Sequence, residues 1–291
     1  MRLTDKRVLI TGSGQGLGRA LAHQFARAGA EVIVSDVEPK RAAGVAAELA
    51  TSGRPALSYA FDVTSAAQVR EVRDRIQAER GPIDVLVNNA GLVFGGSFLD
   101  VPVERHRLTI DVNMGGILTV THAFLPDLLA RPESYLINIV SASAMIALPY
   151  ATSYAASKAA ALNFSDSLRE ELRLSGRRQL RVLAVCPSYI STGLFDGAQA
   201  PLLTWILEPD FVAQQTVRAV EGDRSFLMLP WTARLLYSTA GWMPTALYRR
   251  VCAWLGVSTS MSQWRGHTTG KDPAGTPPPA APTHTLTGSK T

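Results

Sequence analysis

Tyr154 and Lys158 stand four residues apart in SYAASKAAALNFSDSLREEL, an alanine-rich stretch of helical character. At that spacing both side chains leave one face of a helix and reach a common substrate. A phenol is a poor base at neutral pH, but a neighbouring ammonium favours the phenolate, so the pair suits proton exchange with an alcohol or carbonyl. Taken alone, Y-x-x-x-K also describes an ordinary surface pair, and its neighbours decide between the two. Thirteen positions upstream the apolar run YLINIVS ends at Ser141, whose hydroxyl could hydrogen-bond a substrate oxygen as charge develops on it. Ser143 competes with it for that role.

A second group of residues suits a nucleotide. In VLITGSGQGLGRALA the glycines Gly12, Gly14, Gly16 and Gly18, with Ser13, Gln15 and Leu17 between them, separate a strand from a helix. Glycine there lets the backbone approach a pyrophosphate at the helix N-terminus. The pattern departs from G-x-G-x-x-G, and a tight turn with no ligand would use the same residues. The next strand, EVIVSD, ends at Asp36, where a carboxylate would accept hydrogen bonds from the adenosine ribose and repel a 2′-phosphate. Neither Gln15 nor Val37 offsets that charge, although Lys40 and Arg41 lie close in sequence. The expected cofactor is NAD, with NADP the lesser alternative; the bland role for Asp36 is a cap.

These residues need a frame. Short apolar runs at 8–11, 31–35, 57–61, 85–87, 135–140 and 180–186 alternate with helical stretches at 19–29, 39–52 and 65–80. Strand alternating with helix specifies an α/β fold, a doubly wound Rossmann-like parallel sheet flanked by helices, as a single domain with a C-terminal helical extension. A helix at 209–221 and a strand at 225–229 close the core, giving a domain over 1–230. Residues 231–266 form an apolar, basic extension. The Pro-, Thr- and Ala-rich 267–291 cannot repay the entropy of ordering and reads as a disordered tail.

Thr11-Gly-x-x-x-Gly16-x-Gly18, Asp62, Asn88-Asn89-Ala90-Gly91, Asn113, Ser141 and Tyr154-x-x-x-Lys158, in this order, resemble the short-chain dehydrogenase/reductase family over roughly 5–230. The resemblance implies Tyr154 as general acid/base, Ser141 orienting the substrate oxygen, and Lys158 binding the nicotinamide ribose while lowering the tyrosine pKa. It implies that Asn113 supports a water in a proton relay and that Asp62 and Val63 sit against the adenine. Asn89, Ala90 and Gly91 would line the cofactor cleft, with Asn88 structural. Its thirteen-residue offset favours Ser141 over Ser143. Cys186-Pro187-Ser188-Tyr189-Ile190-Ser191-Thr192 resembles the family's Pro-Gly-x-x-x-Thr segment, so Pro187, Ile190 and Thr192 would hold the nicotinamide carboxamide. Ser188 replaces the usual glycine, and Thr192 could equally cap a helix.

Residues 192–208 fall where the family has its substrate lid, and Leu194, Phe195, Leu202, Leu203, Trp205, Ile206 and Leu207 make this one apolar. With the long extension, it is similar to the branch of retinol and 17β-hydroxysteroid dehydrogenases. The implied activity is NAD(H)-dependent interconversion of a hydrophobic alcohol and its carbonyl, steroid-, retinoid- or long-chain-like. The alternatives are an NADPH-dependent carbonyl or acyl-chain reductase, or a catalytically silent nucleotide-binding scaffold. The family also implies a homodimer or homotetramer, packed through helices near 108–129 and 153–174.

Composition narrows the partners. The net charge of +5 comes from 29 basic and 24 acidic residues with no long basic run, which argues against nucleic acid. Two cysteines, Cys186 and Cys252, and five histidines without ligand spacing suit a metal-free enzyme in a reducing compartment. MRLTDKRVLITG lacks the h-region of a secretory signal, and a cytoplasmic location is expected. Residues 230–266 carry no Asp or Glu, and Arg234, Arg249 and Arg250 interrupt their apolar runs. Such a segment spans a bilayer poorly but suits a peripheral membrane contact. A cover over the cleft or a subunit contact would use it equally well.

Overall fold

The computed structural model describes residues 1–54, 56–202, 204–239 and 242–266. The expected tail, 267–291, and Leu203 of the lid lie outside the described residues. Strands β1 (Arg7–Ile10), β2 (Glu31–Asp36), β3 (Leu57–Ala60), β4 (Val85–Asn88), β5 (Ser134–Ile139), β6 (Leu180–Pro187) and β7 (Phe226–Leu229) form one parallel sheet. Its order is β3-β2-β1-β4-β5-β6-β7. The central strands are buried along their length, so both faces must be apolar, and they read as unbroken runs such as VLI, VLVN and YLINI.

Helices α1 (Gly16–Arg27), α2 (Pro39–Thr51) and α7 (Pro209–Glu221) cover one face, with Leu21, Phe25, Val45, Val212 and Val220 in its core. On the other face α3 (Ala66–Arg80) and α5 (Gly116–Leu129) bury Val69, Ile76, Val120, Phe124 and Leu128. The long α6 (Thr152–Leu174) adds Leu172 to that second core. Pro39 at a helix start and the Ser65 hydroxyl capping the Gln68 N–H set the helix entries.

α4 (Val103–Ile110) runs into α5 through one π turn, Asp111–Gly115. By length and composition the continuous helix Val103–Leu129 could cross a membrane. Its Val120, Phe124 and Leu128 pack into the sheet core instead.

The strand order reverses between β1 and β4, and ligands of such sheets bind at the C-terminal strand ends beside the reversal. The glycine loop follows β1, Asn89 follows β4, Ser141 follows β5 and Ser188 follows β6, all at that edge. After β7, α8 (Trp231–Thr239) and α9 (Thr245–Trp254) return to the lid. There Leu202 N–H donates to Leu255 O at 2.8 Å, Gln199 N–H to Ser260 O at 2.8 Å and Arg265 N–H to Asp196 O at 2.9 Å.

Candidate active site

The glycine loop is drawn down by its neighbours. The Thr11 hydroxyl accepts from the N–H groups of Asn89 and Ala90 at 3.0 and 3.1 Å, and Asn89 Nδ2 donates to the carbonyls of Thr11 and Gly12 at 2.9 and 3.0 Å. Ser13 Oγ donates to Ile10 O and accepts from Ser35 N–H. Gly14 N–H donates to Asp36 Oδ2 at 3.1 Å, while Asp36 Oδ1 takes the Glu38 N–H at 3.0 Å. A methyl group on Gly14 would lie 2.5 Å from Arg41 Cβ and 2.8 Å from Asp36 Oδ2, and one on Gly18 would overlap the Gly12 carbonyl.

At Gly14 the loop therefore passes too close to Asp36, and at Gly18 too close to Asn89, for a side chain. Leu17 anchors it in the core below. Gln15 starts α1 without a side-chain cap, and the first turn carries no acid. The N–H groups at that end face a groove lined by Gln15, Gly16, Arg19, Ser191 and Thr192. Uncapped donors at a helix N-terminus fit the pyrophosphate of a dinucleotide, while Arg19 beside them is paired with Glu48 at 2.8 Å.

Asp62 and Val63 have local work as well. Asp62 Oδ1 accepts from the Thr64 N–H and hydroxyl, both at 2.8 Å, and Val63 is wedged so closely on α5 that a methyl on Gly116 would meet its Cγ2 at 2.6 Å. Asn88 Nδ2 bonds Thr121 Oγ1 and Asn138 Oδ1, each at 2.9 Å, tying β4 to α5 and β5.

Around Tyr154 the structure gathers Asn113, Ser141, Lys158 and Gly91. Asn113 lies in the π turn with its amide fully used: Oδ1 accepts from Leu92 N–H at 2.8 Å, and Nδ2 donates to Leu92 O at 2.9 Å and Ser157 Oγ at 3.0 Å. A methyl on Gly91 would stand 3.2 Å from Asn113 Oδ1 and 3.6 Å from Lys158 Nζ, so these groups meet at one point. Lys158 Nζ donates to Ile139 O at 2.8 Å and stands 5.7 Å from the centre of the Tyr154 ring. Burial pulls the Lys158 ammonium down to about 8. Burial also raises the Tyr154 phenol well above its ordinary value, and the hydrogen bond from Ser141 opposes this.

The two serines form a relay in which one holds the other. Ser143 donates to Ser141 Oγ through its N–H at 3.1 Å and its hydroxyl at 3.0 Å. Both Ser141 lone pairs are thereby filled, leaving its proton for Tyr154. Buried Cys186 lies behind them, its thiol pushed up to about 12 by burial.

Beyond β6 the Ser188 N–H bonds Leu229 O at 2.7 Å, Ile190 bridges to Leu207, and Thr192 N–H closes a tight turn on Ile190 O at 2.8 Å. Thr192 caps no helix, since α7 begins only at Pro209; its Cβ faces Gly16, 3.3 Å from a methyl placed there. Pro187, Ile190 and Thr192 thus carry the chain from the Tyr154 side of the edge to the glycine loop.

Ser141 and Tyr154 line an apolar cavity of about 430 Å³, whose walls include Phe195 and Leu202 of the lid and Trp231, Leu235 and Trp254 of the extension. Of the three roles open for the extension, the structure shows it walling this cleft. The residues that hold it there were missed by sequence reasoning. Tyr189 donates to Ser260 Oγ at 2.7 Å, Trp264 Nε1 to Leu194 O at 3.1 Å, and Met261 is buried beside Tyr154 and Tyr189. Thr11 and Ser157 were missed also; Thr11 stood in the glycine motif itself. Among the described residues no cluster of three His, Cys, Asp or Glu side chains gathers that could hold a metal.

A reversing parallel sheet with a glycine loop at its switch point and a buried Ser–Tyr–Lys group define a dinucleotide-binding oxidoreductase fold and site. The sequence model described as short chain dehydrogenase matches residues 6–201, and the chain belongs to that family of NAD(P)-binding oxidoreductases. It is 36% identical over 227 residues to epidermal retinol dehydrogenase 2 of Mus musculus, covering 77% of this chain and 73% of that protein.

Among solved structures, a Burkholderia cenocepacia J2315 gluconate 5-dehydrogenase in complex with NADP and tartrate is 28% identical, with a TM-score of 0.70 over 78% of this chain and 95% of that one. A Burkholderia phymatum short chain dehydrogenase/reductase in complex with NAD shares the fold at 24% identity, with a TM-score of 0.75 over 83% of this chain and 96% of the other.

Proposed function

We propose that the protein interconverts a hydrophobic alcohol and its carbonyl with NAD(H), through proton exchange at Tyr154. The observation that carries this reading is the Ser141–Tyr154 pair lining an apolar cavity, on the same sheet edge as the glycine loop. The mouse relative is named for retinol, and a retinoid-, steroid- or long-chain-like molecule suits a wall made of Phe195, Leu202 and Trp231.

With a substrate bound, Ser141, its lone pairs filled by Ser143, would turn the proton it now gives Tyr154 toward the substrate oxygen, and Tyr154 would exchange the alcohol proton. Bound NAD⁺ supplies the hydride acceptor and a positive ring charge that opposes the burial penalty on a phenolate. Lys158 holds the nicotinamide ribose from its anchor on Ile139. Asn113 pins α6 to Leu92 with its side chain and would support a relay water from that position. Gly12 to Gly18 cradle the pyrophosphate. Asp62, Val63, Asn89, Ala90 and Gly91 flank the adenosine and ribose, and Pro187, Ile190 and Thr192 the carboxamide.

Asp36 supports NAD, because its carboxylate stands at the end of β2 where a 2′-phosphate would be repelled. The NADPH reading has one observation in its favour: Arg41 packs against Gly14 at the same corner. Turnover of one apolar alcohol with NAD and with NADP separates them. The expected result is at least a tenfold preference for NAD that collapses in Asp36→Ala; a native NADP preference overturns the cofactor reading.

The two cysteines are free and buried, which suits the cytoplasm. A homodimer or homotetramer would pack through α4 to α6, where Ile110 and Leu118 are exposed.

A further inference from the structure

We infer that α8, α9 and the lid form a face that docks on an anionic lipid bilayer, with the substrate cavity opening into that face. The docking stands on surface chemistry alone; only what passes through the mouth rests on the hydrophobic-substrate reading above. Leu202 of the lid, Trp231 and Leu235 of α8 and Trp254 of α9 all line the cavity, yet they are 59%, 67%, 58% and 75% exposed. Side chains that are at once wall and outer surface mark a mouth. In water that mouth is a cluster of large uncovered apolar groups, which soluble surfaces avoid unless something covers them.

Charge indicates which cover. On α8, Trp231, Arg234 and Leu235 follow at i, i+3 and i+4; on α9, Leu247, Arg250 and Trp254 follow at i, i+3 and i+7. Each helix therefore sets an exposed arginine in line with its exposed apolar side chains. No Asp or Glu occurs over residues 230–266, so these cations stand in a segment of one sign. Tryptophan beside arginine suits the boundary between acyl chains and acidic headgroups. The helices, of 9 and 10 residues, are far shorter than the roughly 20 needed to span, so they would lie in the plane of the interface.

The test is flotation of the full chain with vesicles of phosphatidylcholine alone or mixed with phosphatidylglycerol, repeated with brominated acyl chains that quench tryptophan. The wild type should float with the anionic vesicles and lose tryptophan emission to the brominated lipid. Neutral vesicles, or the Arg234→Glu/Arg250→Glu double variant, should bind about tenfold more weakly or worse. Neither arginine lines the cavity, so an unchanged melting temperature and NADH binding establish that the variant is folded.

Equal flotation on both vesicle types, or a double variant that binds as well as wild type, would overturn the proposal. So would a dimer that shields these tryptophans from lipid, in favour of a second copy of the chain. A protein that floats but oxidises no apolar alcohol keeps the docking face and loses the substrate reading; one that oxidises them but does not float does the reverse.

Discussion

Burying Lys158 between Gly91 and Tyr154 takes an ammonium out of water with the Ile139 carbonyl, 2.8 Å away, as its hydrogen-bond partner. Its folded value of about 8 lies below the ordinary 10.5. Between those two the unfolded chain keeps a proton that the folded chain has released, so the native state gains stability as pH rises through this window. Below pH 8 the penalty is present in full. Urea unfolding of wild type and Lys158→Met should therefore converge or cross, with wild type gaining about 3 kcal/mol relative to the variant from pH 8 to 10.5; parallel profiles would show that the ammonium is not buried. Tyr154, Lys158 and Ser141 were legible in the sequence because their types and spacing carry chemical meaning. Ser143, which fills the lone pairs of Ser141, was legible only as a rival, since a hydrogen bond between two serines of one turn leaves no pattern in sequence.

At the scale of elements, the strands were readable because a strand covered on both faces must be apolar throughout, and the expected 57–61 and 180–186 differ from β3 and β6 only at their ends. The π turn at Asp111–Gly115 was not, because Asn113 is tied there by tertiary bonds to Leu92 and Ser157. The glycine loop lies between β1 and α1 as expected, but the reason for its glycines is partly internal: Gly14 faces Asp36 and Arg41 rather than open space. Gly14→Ala should push the Asp36 carboxylate away, lowering NADH affinity at least tenfold in a fluorescence titration and stability by about 2 kcal/mol. Unchanged affinity would mean that the loop can shift without disturbing the cofactor corner.

Across the whole molecule, one buried carboxylate fastens three strands near their starts. Asp84 accepts from Arg7 N–H at 3.0 Å and Arg131 Nε at 2.7 Å, with Lys6 Nζ at 3.6 Å. Removing it in Asp84→Ala orphans these donors far from the cleft. The urea midpoint should fall by the equivalent of about 3 kcal/mol while turnover at low temperature survives; a loss of turnover without loss of stability would contradict this division of labour. The extension was the least legible part of the chain, because its place depends on bonds such as Leu202 to Leu255 and Tyr189 to Ser260, separated widely in sequence. With it in place, sheet edge, lid and extension wall an apolar cavity that Tyr154 and Tyr189 both line. The most direct test follows NADH formation from a panel of apolar and polar alcohols with the purified full chain and with Tyr154→Phe. Turnover that favours large apolar alcohols and falls by at least about a thousandfold in the variant, with the melting temperature kept, is the predicted result; no turnover of any apolar alcohol, or a variant as active as wild type, would contradict it.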